Sequence, residues 1–186
     1  MAKRQPKLKP TWADVKKKLE GFDRAALVGL VQNLYAASKK NQAFLHARFG
    51  LGEDVLEPYK KTIDRWLRPD VFRGDISVSK AKQAISDYKK ALGDPEGVAE
   101  LMVFYCESAA GFCTDITYDD AGYFNALVRM FEQALKTTNT LAAKKRDGHI
   151  ARLDRVRSMS HDFGYGVGDD MDVLFSEFGP SAGLGG

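Results

Sequence analysis

The stretch between Met159 and Gly179, MSHDFGYGVGDDMDVLFSEFG, contains the residues of this chain that come closest to a chemical site. A histidine next to a carboxylate and near a phenol can transfer protons, because imidazole titrates near neutral pH. Neighbouring carboxylates can also bind a divalent cation. The site candidates are His161, Asp162, Tyr165, Asp169 and Asp170. The first three could transfer protons, and the three aspartates, together with Asp172, could bind a cation. A catalytic or metal site in this stretch is therefore one hypothesis for the protein.

The same stretch also fits a turn followed by a helix. Its glycines lie at positions 164, 166 and 168, whereas a dinucleotide fingerprint needs the third glycine one residue later and a strand before the first. A basic helix precedes these glycines where the fingerprint needs a strand, and the aspartates that follow would repel phosphate, so we predict no phosphate site. Asp169, Asp170 and Asp172 suit the first turn of a helix, where acidic side chains lie at the positive end of the helix dipole.

This second interpretation makes the stretch a structural element that closes the fold. The glycines would turn the chain away from the preceding helix. The apolar residues between the glycines and in the last helix would point inward, namely Phe163, Tyr165, Val167, Val173, Leu174, Phe175 and Phe178. In this interpretation no residue is catalytic, and none binds a metal or a cofactor.

The segment DITYDDAGYFNA, which begins at Asp115, partly matches the pattern of a calcium-binding loop. Asp115, Thr117 and Asp119 occupy the first, third and fifth loop positions of an EF-hand. The sixth position holds Asp120 in place of glycine, and the twelfth holds Ala126 in place of the bidentate glutamate. We therefore predict that Asp119 or Asp120 caps the next helix.

The two cysteines, Cys106 and Cys113, are seven residues apart in one predicted helix. Their Cα atoms would be about 10 Å apart, which is too far for a disulfide within the chain. They also lack the CxxC spacing of metal and redox sites. We predict two buried thiols on one helix face.

Basic residues cluster in two places, although the net charge is only +3. One cluster lies near the start of the chain, and the other lies on a predicted helix over about 141–159. The residues that could contact a partner or a nucleic acid are Lys16, Lys17, Lys144, Lys145, Arg152, Arg155 and Arg157. Basic helix faces bind phosphate backbones without sequence preference, but solvated helix faces have the same pattern. Nucleic-acid binding is therefore an alternative function.

Helical periodicity covers nearly the whole chain, and the fold class it predicts is all-α. Asp23, Ser79 and Asp94 are predicted N-caps, and Pro95 follows the last of them at the first helical position. We expect eight to nine helices in stacked helical hairpins, either solenoid-like or as an irregular bundle. The predicted organisation is a basic flexible arm over 1–10, a single helical domain over 11–178 and a flexible tail over 179–186.

Several segments together resemble a family of uncharacterised, all-helical bacterial proteins of unknown function. They are FDRAALVGLVQNLYAASKKNQAFLHARF, YKKTIDRWLRP, SKAKQAISDYKKAL, DPEGVAELMVFYCESAAGFC and FGYGVGDDMDVLFSEF. The resemblance covers roughly residues 11–178. A weaker likeness extends to the helical-repeat regions that accompany SWIM-type zinc fingers, but this chain has no Cys/His zinc motif. The resemblance implies a helical fold in a bacterial protein and transfers no catalytic residue.

The function that the sequence favours is a non-enzymatic interaction or scaffold protein. Stacked helices form grooves and faces that bind partner helices or a second copy. The alternative is a nucleic-acid-associated accessory protein, and a lesser alternative is an enzyme or metal site near His161 and Asp162. The first residues lack the apolar core of a secretory signal, and no apolar run approaches the roughly 20 residues of a membrane span, so we expect a cytoplasmic location without membrane contact.

Overall fold

A computed structural model describes residues 9–52, 54–70 and 74–180. The predicted arm over 1–10 and tail over 179–186 lie outside these ranges except for residues 9, 10, 179 and 180. Within the described ranges all regular structure is helical, which confirms the all-α prediction. The helices are α1 (Trp12–Leu19), α2 (Arg24–Ala37), α3 (Lys39–Phe49), α4 (Glu57–Leu67), α5 (Val78–Ala91), α6 (Pro95–Ile116), α7 (Ala121–Thr138), α8 (Ala143–Met159) and α9 (Val167–Phe178), with a 3₁₀ turn over Ser160–Asp162.

The chain divides into two compact units, Met1–Gln42 and Ala43–Gly186. The first contains α1, α2 and the start of α3, and the second contains the rest of α3 and α4 to α9. The sequence pattern predicted one domain over 11–178 and gave no sign of this division.

Aspartate caps begin three of the helices. The carboxylate of Asp23 accepts a hydrogen bond from the backbone N–H of Ala26 at 2.7 Å, and Asp94 accepts one from Gly97 at 2.7 Å. Asp120 does the same for Tyr123, also at 2.7 Å. Each bond satisfies a donor that the first turn would leave unpaired. These contacts confirm the predicted caps at Asp23 and Asp94 and place the α7 cap at Asp120.

The predicted cap at Ser79 is wrong, because α5 begins two residues earlier. Ser77 is the N-cap, and its hydroxyl accepts from the backbone N–H of Lys80 at 3.4 Å. The N–H of Ser77 donates to the carbonyl of Trp66 at 3.0 Å, which fixes this residue at the end of α4. Ser77 and Ser79 have the same intrinsic preference for an N-cap position, and this tertiary hydrogen bond makes Ser77 the cap.

The core of the second unit is organised around α6, which has 22 residues. It packs against α4, α7 and α8, while α5 packs on α4 and α9 packs on α7. Cys106 and Cys113 are both buried free thiols on this helix, as predicted. The pairs α4–α5 and α6–α7 are consecutive neighbours, so the contacts are compatible with stacked hairpins and with an irregular bundle.

Each unit contains one of the two tryptophans. Trp12 on α1 is 69% exposed. Trp66 on α4 is partly buried against the core, and two cations lie over its ring: Lys80 Nζ at 3.8 Å from the ring centroid and the Arg65 guanidinium at 5.3 Å. The two indoles therefore have different environments.

Candidate functional site

The structure does not assemble the five residues predicted as a site near the C-terminus. His161 Nε2 lies 3.5 Å from Asp172 Oδ1, and Asp172 also pairs with Arg157. Asp162, Tyr165, Asp169 and Asp170 are exposed, and within the described part of the chain none of their side chains forms a hydrogen bond or ion pair with His161. In the described part of the chain, no group of three or more histidine, cysteine or acidic side chains is placed to hold a metal. The imidazole therefore lies on an open surface with Asp172 as its carboxylate neighbour.

The glycines of this stretch have different structural roles. Gly166 has φ +71° and Tyr165 has φ +61°, so the turn lies at these two residues. Gly168 is already inside α9 and approaches the 3₁₀ turn closely. A Cβ added there would lie 2.9 Å from the Cα of His161, which requires something to shift. The predicted turn is present, but its glycines are not equivalent. Gly166 supplies the left-handed backbone conformation, and Gly168 allows α9 to lie close to His161.

Two of the residues predicted to point inward do not. Tyr165 is 67% exposed and Val173 is 65% exposed, whereas Val167 and Met171 are buried. Because α9 begins at Val167, positions 167, 171, 174 and 178 share its buried face, and position 173 lies on the other side. Phe163, Leu174, Phe175 and Phe178 are partly buried against the core, as expected.

The basic residues predicted on α8 are mostly occupied by acidic partners. Arg152 donates from Nε to Glu107 Oε1 at 2.8 Å and from Nη2 to Glu107 Oε2 at 2.6 Å. Lys145 pairs with Glu96. Arg157 pairs with Asp154 and Asp172. Among the described residues, Lys144 and Arg155 have no acidic partner, so only these two predicted cations of α8 are left to bind an external anion.

A half-buried ionic cluster joins α4, α6 and α8. Glu100 on α6 pairs with Lys60 at 2.7 Å, and it also contacts Arg152. Burial would raise the pKa of Glu100, but hydrogen bonds from Arg152 and Lys60 outweigh it and hold that pKa below its ordinary value. His149 Nδ1 lies 3.7 Å from Glu100, and burial lowers the pKa of this histidine. The fixed charges compensate one another, so the cluster joins three helices and leaves no cation or carboxylate free to react.

An open cleft lies where α5 and α7 begin, with a volume of about 390 Å³. Its polar lining includes Ser77, Ser79 and Asp120. Ser77 and Asp120 already cap the two helices, and their oxygens accept backbone hydrogen bonds. The cleft has the size of a small-molecule site but offers no convergent set of groups for catalysis.

The most unusual surface of the molecule is on α2. We define the α2 face as Leu27, Leu30, Val31 and Leu34, with Val28 and Tyr35 beside them. Leu27 is 39% exposed, Val28 59%, Val31 45% and Leu34 50%. Neither α1 nor α2 contains a buried residue. Five large apolar side chains of one 14-residue helix are thus in contact with solvent, which is rare unless a surface is covered by a partner.

The backbone of α2 is well satisfied at both ends. Asp23 caps its start, and at its end the side-chain amides of Asn41 and Gln42 donate to the carbonyls of Leu34 and Tyr35. Ser38 has extended dihedrals, φ −160° and ψ 149°, and separates α2 from α3. The helix is therefore defined by its own caps.

The sequence predicts that α2 has an apolar face, but it does not predict that this face is exposed. The apolar spacing at 27, 30, 31 and 34 predicts one face of a helix. The same spacing occurs when a face is buried in the domain, so it does not indicate what covers the face. Lys16 and Lys17 on α1 are exposed, and among the described residues they have no acidic partner.

No family model, no curated protein and no solved structure matches this chain. The resemblance to uncharacterised bacterial helical proteins therefore stays a prediction. Within the described ranges, no helix combines the length and the apolar character required to cross a bilayer.

Proposed function

We propose that this chain is a helical interaction protein that binds a partner protein through the α2 face. The observation that supports the proposal is the exposure of Leu27, Val28, Val31 and Leu34 on one side of a well-capped helix. Anchors at i, i+3, i+4 and i+7 are the pattern by which amphipathic helices bind grooves and other helices.

Covering the exposed side chains of the α2 face would stabilise a complex. Fully burying one leucine or valine side chain contributes about 1.5–3 kcal/mol. Leu27, Val28, Val31 and Leu34 still expose roughly half of their surface, so covering one would contribute about 1 kcal/mol, and covering all four about 4 kcal/mol. That amount offsets a substantial part of the entropic cost of association.

The proposal can be tested by site-specific photo-cross-linking in the native cells. A benzophenone amino acid replaces Val31 on the α2 face or, as a matched control, Ala36 on the opposite side of the same helix. We expect a cross-linked adduct from position 31 and little from position 36. Equal or absent adducts from the two positions would contradict the proposal.

Nucleic-acid binding is a second candidate, favoured by the exposed lysines of α1. Lys16, Lys17 and Lys18 fill its last turns, and all three are exposed. On the second unit, Lys144 and Arg155 of α8 are exposed and offer a separate place for phosphate contacts. Fluorescence anisotropy with a labelled duplex at increasing salt would test this, because phosphate contacts give a linear loss of log affinity with log salt. The double variant Lys16→Gln, Lys17→Gln should reduce that slope by about two phosphate contacts. The absence of binding at low salt would dismiss this candidate.

A further inference from the structure

We infer that the occupant of the α2 face is the α2 face of a second copy of this chain, packed antiparallel about a two-fold axis. This inference rests on the proposed function and names its partner. Its first support is the symmetry of the face itself. The residues 27, 30, 31 and 34 are separated by three, one and three positions, so the pattern is the same in both directions. A two-fold antiparallel pair then places Leu27 opposite Leu34 of the other copy and Leu30 opposite Val31, and both contacts occur twice.

The distribution of charge also fits a partner identical to the chain itself. No charged residue occurs between Arg24 and Lys39. A charged face would repel its own copy, whereas an uncharged one can pack on itself without that penalty. At the ends of the antiparallel pair, Asp23 of one copy lies near Lys39 of the other, and opposite ends of the two helix dipoles are adjacent.

A membrane surface is a poorer partner for this helix. Helices that lie in the lipid interface carry lysine and arginine on the side that faces water. The side of α2 opposite the α2 face is small and neutral, with Ala25, Gly29, Gln32 and Ala36. It offers no attraction for anionic headgroups.

A small contact is typical of weak, reversible association. A helix of 14 residues is about 21 Å long, so a pair of such helices buries less than a standard interface. We therefore expect a reversible dimer with a dissociation constant on the order of micromolar.

The first experiment is sedimentation equilibrium of the full chain from about 1 to 200 µM, which brackets that affinity. The wild type should change from monomer to dimer across this range. The double variant Leu27→Gln, Leu34→Gln should remain monomeric with an unchanged far-UV circular dichroism spectrum. Gly29→Ala is the matched control, because a Cβ at position 29 meets open space on the opposite side of the helix, and it should dimerise like the wild type. A wild type that is monomeric throughout would overturn the inference.

The second experiment tests the antiparallel geometry. Chains carrying Leu27→Cys and chains carrying Leu34→Cys are oxidised separately and as an equal mixture. In the antiparallel pair the two copies of position 27 are offset by about 10 Å along the axis, which is too far for a disulfide, whereas positions 27 and 34 face each other. The mixture should therefore form disulfide dimers and the separate samples should not. The native cysteines do not interfere, because both are buried. Disulfides in the separate samples only would overturn the antiparallel arrangement.

The photo-cross-linking experiment separates failure of this inference from failure of the proposed function. An adduct of twice the chain mass from position 31 supports both. An adduct with a different protein, from a chain that is monomeric in solution, overturns the second copy and leaves the proposed function standing. An adduct within one chain, or none, contradicts both, as does cosedimentation of the monomer with anionic phosphatidylglycerol vesicles.

Discussion

Arg152 on α8 binds Glu107 on α6 through two parallel hydrogen bonds, 2.8 Å from Nε and 2.6 Å from Nη2. The planar guanidinium matches the two carboxylate oxygens, which is the strongest geometry for such a pair. The same arginine also contacts Glu100, so one side chain bridges two carboxylates of α6. These bonds attach α8 to the central helix of the second unit.

Replacing this arginine should destabilise the fold. We expect Arg152→Gln to lower the free energy of unfolding by about 1–3 kcal/mol, because Glu107 loses both of its hydrogen bonds from the arginine and Glu100, which keeps its contact with Lys60, loses its contact with the arginine. Arg155→Gln on the same helix is the matched control. Arg155 is exposed and has no acidic partner in the described residues, so this change should stay within about 0.5 kcal/mol. Urea denaturation followed by circular dichroism measures both, and equal effects would show that the cluster adds no stability.

The stability of the second unit should depend on pH through His149. Burial lowers the pKa of His149 below its ordinary value of 6.5, although Glu100 acts in the opposite direction. The unfolded chain therefore binds a proton near pH 6.5 while the folded chain does not, so the free energy of unfolding falls as the pH falls below about 6.5.

This dependence can be measured by urea denaturation at several values between about pH 5.5 and 7.5. His149→Gln removes the group and should flatten the curve over this interval. Glu100 contributes in a lower range: its lowered pKa stabilises the fold above its ordinary value of 4.5, and this stabilisation is lost in stronger acid. An unchanged slope in His149→Gln would refute the assignment.

Two glycine substitutions should have opposite effects. In Gly168→Ala the new Cβ would lie 2.9 Å from the backbone Cα of His161, and a rotation of the imidazole cannot relieve that contact. We expect this change to lower the melting temperature and to cost about 1–3 kcal/mol. Gly148→Ala in the middle of α8 meets nothing within 4 Å and should instead stabilise by up to about 1 kcal/mol. Differential scanning calorimetry of the two variants measures the direction of each change in melting temperature. An unchanged melting temperature in Gly168→Ala would mean that α9 moves away from His161 at little cost.

The native thiols should be nearly unreactive. Burial raises the pKa of Cys113 to about 12 and raises that of Cys106 as well, so little thiolate forms at neutral pH. We expect both to react with Ellman's reagent at least about a hundredfold more slowly in the folded chain than in urea. Ser176→Cys, at an exposed position of α9, is the positive control and should add one fast thiol. Rapid labelling of two thiols in the folded wild type would show that α6 opens easily.

The helix caps and the central helix could be predicted because their signals are local. Asp94 followed by Pro95 fixes the start of α6, and the wide apolar arc of that helix requires burial on several sides. Ser77 and Ser79 show the limit of local signals, since a hydrogen bond to Trp66, distant in sequence, decides between them. The predicted orientation of Val173 failed because consecutive residues of a helix point in different directions, so the face that buries positions 167, 171 and 174 leaves position 173 in solvent.

The candidate interaction surface was only partly predictable. The period of apolar residues identifies the face of α2, but burial depends on what lies opposite, which a single sequence does not contain. For the basic residues of α8, the sequence predicted an exposed charge that the fold largely neutralises. Their clustering suggested a free cationic stripe, yet Arg152 and Arg157 find carboxylates on α6 and α9 that are remote from them in sequence.

The placement of one tryptophan in each unit gives the protein a pair of intrinsic optical reporters. Trp12, largely in water, should emit at long wavelength and be quenched readily by iodide or acrylamide. Trp66, partly buried beneath Lys80 and Arg65, should emit further to the blue and be shielded from collisional quenchers. With Trp12→Phe and Trp66→Phe as single-emitter chains, fluorescence can follow the melting of each unit separately. A change of Trp12 emission with protein concentration would then report on association through the first unit.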